Sequence, residues 1–201
     1  MRTACERQCA LVMEQLRDKV ATGLPTRLDN CAPLVDGFYF SWDAQQAQVD
    51  LSLHRPAREA GAQTAPLFEL RTRVSGEPRW LSMNISLGSH RFASGDVIAL
   101  IGALHCPEAE TLPAFIRTRA NGEDSDTTLF EPLRGKGASV TTALHTVEPA
   151  DNLVIDDAFH TLIVPLPRRD FTLVLNDLRL FVLPAAAGLR SQPQTLASFA
   201  V

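Results

Sequence analysis

Apolar and polar side chains alternate through residues 67 to 87 in a way that predicts two strands. In Leu67-Phe68-Glu69-Leu70-Arg71-Thr72-Arg73-Val74, the residues Phe68, Leu70, Thr72 and Val74 share one side of a period-two strand, and Glu69, Arg71 and Arg73 share the other. The same rhythm returns in Trp80-Leu81-Ser82-Met83-Asn84-Ile85-Ser86-Leu87. A Gly76-Glu77 loop suits a type II′ hairpin turn, since glycine reaches positive φ without a Cβ clash. That turn sets Thr72 opposite Leu81, Leu70 opposite Met83 and Phe68 opposite Ile85, so the apolar sets coincide. It also brings Arg73 to Trp80, Arg71 to Ser82 and Glu69 to Asn84 on the polar side, and a one-residue slip would bury all of these.

Ahead of the strands, the spacing predicts a helix over residues 4 to 22. Thr3-Ala4-Cys5-Glu6 fits a capping box, and Gly23 followed by Pro25 supplies the stop. Cys5, Cys9, Val12, Leu16 and Val20 form one apolar stripe. Its partner is either the chain's own sheets or another chain, and under three heptads is short for an independent coiled coil.

Strands are predicted at 38–42, 47–53, 96–104, 115–120, 125–130, 138–145, 159–164 and 171–182. The apolar run Val97 to Leu104 is expected to be central and covered on both faces. Asn121-Gly122 is a type I′ signal that places Arg119 opposite Asp124 and Arg117 opposite Asp126. The R-T-R-x-x-G-E pattern of 71–77 recurs at 117–123, too short a match to establish a repeat. About ten strands without βαβ alternation predict a mainly β fold, an antiparallel β-sandwich of jelly-roll type with one N-terminal amphipathic helix. The expected organisation is the helix at 1–24, the sandwich at 25–183 and an extended tail at 184–201. Arg55 to Pro66 reads as an exposed loop.

Composition narrows the classes. The chain has 201 residues, 45% of them hydrophobic, enough for a substantial core. Its net charge of −4 argues against nucleic-acid binding, which needs a positive field over phosphates. No apolar run approaches the ~18 residues of a membrane span, and no secretory leader is visible, so a cytoplasmic location is expected.

Cys5, Cys9, Cys31 and Cys106 show no CxxC spacing and read as free thiols, although Cys5 and Cys9 lie four apart on the helix. His54, His90, His105, His145 and His160 are scattered singly. The cluster from His105 to Glu110 is the densest set of ligand types and could contribute ligands at a sheet end, although it also reads as an ordinary strand-to-loop exit, and the acids at 123–126 and 156–157 could meet calcium, though neither matches an EF-hand loop. No GxSxG elbow, phosphate loop or dinucleotide fingerprint occurs. Neither catalytic residues, nor a metal, nor a cofactor is expected.

Trp80-Leu81 with Ile85 and Leu87, then Ala93 to Leu100, then Phe171 to Leu175 and Asp177 to Leu180, resemble the strand rhythm of galactose-binding-like jelly rolls and carbohydrate-binding modules. The resemblance covers about residues 36 to 183 and implies glycan recognition by a sheet face. With 6% aromatic residues, one tyrosine and two tryptophans, the chain is poor in stacking residues for that class. The expected function is a non-catalytic binding or accessory protein, with Arg71 and Arg73 holding an anionic group, Trp80 stacking on a sugar ring and Asn84 hydrogen-bonding a hydroxyl. The alternative is a structural or assembly subunit that makes protein contacts, self-association included, through residues 4–22 and the tail.

Overall fold

The first element begins as its capping box dictates. Thr3 Oγ1 accepts from Glu6 N, the Glu6 carboxylate accepts from Thr3 N, and α1 (Ala4–Thr22) ends where Gly23 adopts φ +137°. Cys5, Cys9, Val12, Met13 and Leu16 are buried. In proteins most helical stability comes from packing of an amphipathic face, and α1 packs such a face. That face lies against both sheets of the chain's own sandwich, and Arg17 bonds Asp177 at 2.6 Å. The stripe on which the assembly reading relied is therefore covered from within. Burial pushes the Cys5 thiol up to about 12 and the Cys9 thiol up to about 11, as expected of packed side chains.

The computed structural model describes residues 2–55, 66–137 and 139–187. After α1 come β1 (Pro33–Val35), β2 (Phe38–Trp42), β3 (Ala47–His54), β4 (Phe68–Gly76), β5 (Leu81–Ser89), β6 (Val97–His105) and β7 (Thr111–Leu112). They are followed by β8 (Phe115–Ala120), β9 (Glu123–Thr128), β10 (Leu133–Arg134), β11 (Ser139–Thr146), β12 (Phe159–Pro165) and β13 (Phe171–Leu183). A six-stranded sheet runs β1-β2-β5-β12-β8-β9 and a five-stranded one runs β11-β6-β13-β4-β3, with β10-β7 as a separate pair. All pairings among these strands are antiparallel. The protein is a jelly-roll-type β-sandwich with one N-terminal helix. Residues 56–65 of the loop expected at Arg55 to Pro66, and the tail from residue 188 onward, fall outside the described residues.

Alternate residues of both sheets meet in one interior. Phe38 and Phe40 of β2 pack edge-to-face on Phe68 of β4, with ring centroids 6.0 and 6.2 Å apart, and tie the sheets together. Phe68, Leu70 and Thr72, as well as Leu81, Met83, Ile85 and Leu87, are buried there as the alternation predicts. Val74 is only partly covered.

The expected hairpin between these two segments does not form. β4 pairs with β3 and β13, whereas β5 pairs with β2 and β12 on the other sheet. Thr72 lies opposite Leu51 and Phe171, not Leu81. The reason is local. A two-residue Gly76-Glu77 loop would carry Pro78 straight into the ladder, where it has no N–H to donate. Residues 77–80 instead carry the chain from one sheet to the other, so the matching apolar faces meet across the core. The second hairpin forms as read: Asn121 and Gly122 have φ of +53° and +83°, Arg119 faces Asp124, and Arg117 faces Asp126. β6 is interior to its sheet, between β11 and β13, but the outward Val97, Ile101 and Ala103 are half-covered rather than fully enclosed.

Two outcomes check this packing. His160 is fully buried, with Nδ1 3.0 Å from Thr118 Oγ1 and Nε2 2.7 Å from the His90 carbonyl oxygen. The carbonyl only accepts, so Nε2 donates, Nδ1 accepts from the hydroxyl, and the ring is neutral. Burial lowers its pKa from the ordinary 6.5. The unfolded chain takes up a proton first as pH falls below that value, so this stabilisation is present above it and lost in acid. His160→Leu is expected to lower stability at pH 7.5 by about 1–3 kcal/mol and to shrink the gap between urea midpoints at pH 7.5 and 5.5. Gly76 has φ +99°, and a Cβ there would lie 2.6 Å from the Gln46 carbonyl oxygen. Gly76→Ala is expected to cost about 1–3 kcal/mol in the same urea titration.

Candidate functional site

On the outer face of the six-stranded sheet, neighbouring strands align their outward side chains in rows. Ser41, Ser82 and Pro165 form one row. Tyr39, Asn84, Ile163 and Phe115 form the next. Thr161, Arg117 and Asp126 follow, and then Phe159, Arg119 and Asp124. The rows line a cleft of about 820 Å³ that crosses the sheet. Trp80, at the entrance to β5, stands at one end and Phe159, at the start of β12, at the other, both 44% exposed. The length of β12 between them gives the cleft a span of roughly 20 Å.

Asp43 fixes the Trp80 end. Its carboxylate is almost completely covered and accepts from Arg79 Nε at 2.6 Å, while its own N–H donates to the Trp80 carbonyl at 3.1 Å. The hydrogen bond from the Arg79 guanidinium holds the Asp43 carboxyl below the usual carboxylate range. Arg168 reaches over from the β12–β13 connection and donates to the Arg79 carbonyl at 3.1 Å. At the other end Arg119 grips Asp124 through Nε and Nη2 at 2.7 and 2.9 Å, and Arg117 grips Asp126 at 2.8 Å through both nitrogens. The hydrogen bond from Arg119 holds the Asp124 carboxyl down as well. The guanidinium of Arg117 also lies 5.8 Å from the Phe115 ring centroid, within cation–π range.

The floor is polar and already bonded. Asn84 is 2% exposed, and its Nδ2 donates to Ser41 Oγ at 3.0 Å while its Oδ1 lies 3.3 Å from Ser82 Oγ. Ser41 and Ser82 lie 3.0 Å apart through their hydroxyls. The amide therefore orients two hydroxyls and does not itself project from the surface. Burial raises the pKa of Tyr39 beside them.

The four residues singled out in sequence are not brought together. Trp80 and Asn84 belong to the cleft. Arg71 and Arg73 lie on the outer face of the five-stranded sheet, on the far side of the core, because β4 is not the neighbour of β5. There Arg71 bonds Glu69 at 2.6 Å and Arg73 sits opposite Asp50. The cations that do line the cleft are Arg79, Arg117, Arg119 and Arg168. Arg117 and Arg119 were visible in sequence as hairpin arginines with acidic partners, but their alignment with Trp80 required the strand order.

Other ligand types are dispersed. Asp124 and Asp126 are held by arginines and Asp156 by Arg91 at 3.0 Å. Among the described residues no three His, Cys, Asp or Glu side chains gather as a metal site, and no helix is long and apolar enough to cross a membrane.

The chain matches no protein-family model and no curated protein. Among solved structures it is similar to the CBM22-1 xylan-binding domain of Paenibacillus barcinonensis Xyn10C, with TM-score 0.43 and 10% identity over 72% of this chain and 86% of that one. It is similar to a cyclase from Fischerella sp. TAU, with TM-score 0.46 and 10% identity over 78% and 87%. A family 11 carbohydrate-binding module from Clostridium thermocellum, in complex with a beta-1,3-1,4-mixed-linked tetrasaccharide, is also similar, with TM-score 0.44 and 11% identity over 79% and 96%.

The buried amide gives a direct check on the floor. Asn84→Leu removes every hydrogen bond of that side chain and leaves the Ser41 and Ser82 hydroxyls without their shared partner. A loss of about 1–3 kcal/mol in urea unfolding is the expected result.

Proposed function

We propose that the protein is a non-catalytic glycan-binding module that takes a saccharide chain in the cleft of the six-stranded sheet. The observation that carries this reading is the combination of two exposed aromatic platforms, Trp80 and Phe159, at the ends of a cleft whose middle mixes hydroxyls and guanidinium groups with the apolar surfaces of Tyr39, Phe115 and Ile163. A pyranose ring has an apolar face that stacks on an aromatic ring and hydroxyls that hydrogen-bond around its edge. A long cleft with stacking surfaces at both ends and hydroxyl and guanidinium groups among apolar patches between them suits a chain of rings, each with an apolar face and a polar edge.

The carboxylates favour binding over cleavage. Glycoside hydrolysis needs one carboxylic acid whose pKa is raised so that it can protonate the leaving group. Asp43 and Asp124 are shifted the opposite way by Arg79 and Arg119. Both remain ionised and serve to fix arginines.

Calorimetry against a panel of tetrasaccharides tests the reading. Trp80→Ala and Phe159→Ala are each expected to weaken binding about tenfold, since a stacked aromatic contributes ~0.5–1.5 kcal/mol beyond the area it covers. Affinity unchanged in both variants would place any saccharide elsewhere on the protein.

A further inference from the structure

We infer that the ligand of this cleft carries an oxyanion, a carboxylate or sulfate on the sugar ring, and that Arg168 is the residue that recognises it. The inference rests on the glycan reading and specifies its chemical class.

The balance of donors and acceptors leads to it. A neutral sugar is rich in hydroxyl donors and is held well where free carboxylates or amide oxygens accept them. Around this cleft the carboxylate and amide acceptors are engaged. Asp124 and Asp126 are each bonded on both oxygens by one arginine. Asp43 is covered and holds Arg79, and the Asn84 amide is turned into Ser41 and Ser82. What the cleft presents in quantity is guanidinium N–H, and such an excess of donors is matched by a ligand that brings acceptors.

Charge points the same way. Four arginines line the cleft, and three carboxylates, Asp43, Asp124 and Asp126, are paired to three of them. Arg168 has no carboxylate partner among the described residues, and its hydrogen bond to the Arg79 carbonyl uses one N–H and leaves the rest of its donor fork. One uncompensated positive charge therefore sits in a cleft of a protein whose net charge is −4. It is held one residue from Trp80, so a ring stacked on the indole would carry its oxyanion to a guanidinium built for bidentate contact.

The ion pairs with Asp126 and Asp124 use Nε and Nη2 of Arg117 and Arg119 and leave Nη1 of each without a partner among the described residues, so both line the path of the saccharide without demanding a second anion. Arg168 discriminates and the paired arginines orient.

The test uses the whole chain, titrated calorimetrically in 0.1 M salt with tetragalacturonate, a sulfated heparin-derived tetrasaccharide, neutral xylotetraose and an eight-nucleotide oligothymidylate. At least one acidic saccharide is expected to bind about tenfold or more tightly than xylotetraose, because hydrogen bonds to charged groups exceed neutral ones by about that factor. The galacturonate and sulfated arms distinguish the two sources of the oxyanion. Arg168→Gln, an exposed change that leaves the sandwich untouched, is expected to bring the acidic ligand down to the neutral level, while Trp80→Ala weakens all saccharides alike. Neutral binding equal to acidic binding, with Arg168→Gln silent, overturns the oxyanion inference and leaves the glycan reading standing. No saccharide binding at all, or binding of the oligonucleotide alone, overturns both.

Discussion

The covered carboxylate of Asp43 governs the point at which the chain leaves one sheet for the other, because it bonds Arg79 while its backbone N–H bonds the Trp80 carbonyl. The crossover at residues 77–80 cannot be held by ladder pairing, since it belongs to neither sheet. Side-chain and backbone bonds from one residue replace that pairing. As a result the bonds that hold the crossover also aim Trp80, Arg79 and Arg168 at one end of the cleft. Fold and candidate site share their anchor, and a ligand arriving at Trp80 meets a segment already fixed rather than a loop it must order.

The rest of the cleft is built from strand order. β2, β5, β12 and β8 lie side by side, and their inward residues, such as Phe40, Met83, Val164 and Ile116, are locked in the core. Their outward residues inherit that rigidity. The network of Asn84, Ser41 and Ser82 settles the floor, and the arginine–aspartate pairs of β8 and β9 settle the wall. α1 completes the structure elsewhere, filling the seam between the sheets with thiols, aliphatic side chains and Met13, and takes no part in the cleft.

Much of this was legible in the chain. The capping box gave α1 to the residue, and Asn121-Gly122 gave the β8–β9 register, because in both cases the deciding contacts lie within a few residues of one another. Period-two alternation also assigned the buried faces of β4 and β5 correctly. It could not say whether those faces lie beside each other or across the core, because burial of a face is satisfied equally by either arrangement. Pro78 was the available signal against the hairpin. The candidate site suffered from the same ambiguity: Arg71 and Arg73 went to the wrong sheet, and Tyr39, Phe115 and Phe159 were missed because nothing in their own neighbourhoods tells which strands stand next to β5. The strands β1, β7 and β10, of two or three residues, are too short to leave a period at all.

β9 forms one boundary of the six-stranded sheet, with β8 as its sole neighbour in it. A strand in that position offers unpaired backbone groups that another polypeptide can zip onto. Here Asp124 and Asp126, each held by its arginine, set two ion pairs along the rim, and charged side chains on an edge strand oppose pairing with a second chain. The residues that brace the wall of the cleft thus also occupy the margin of the sheet, so a substitution there changes two surfaces at once, the cleft and the strand edge.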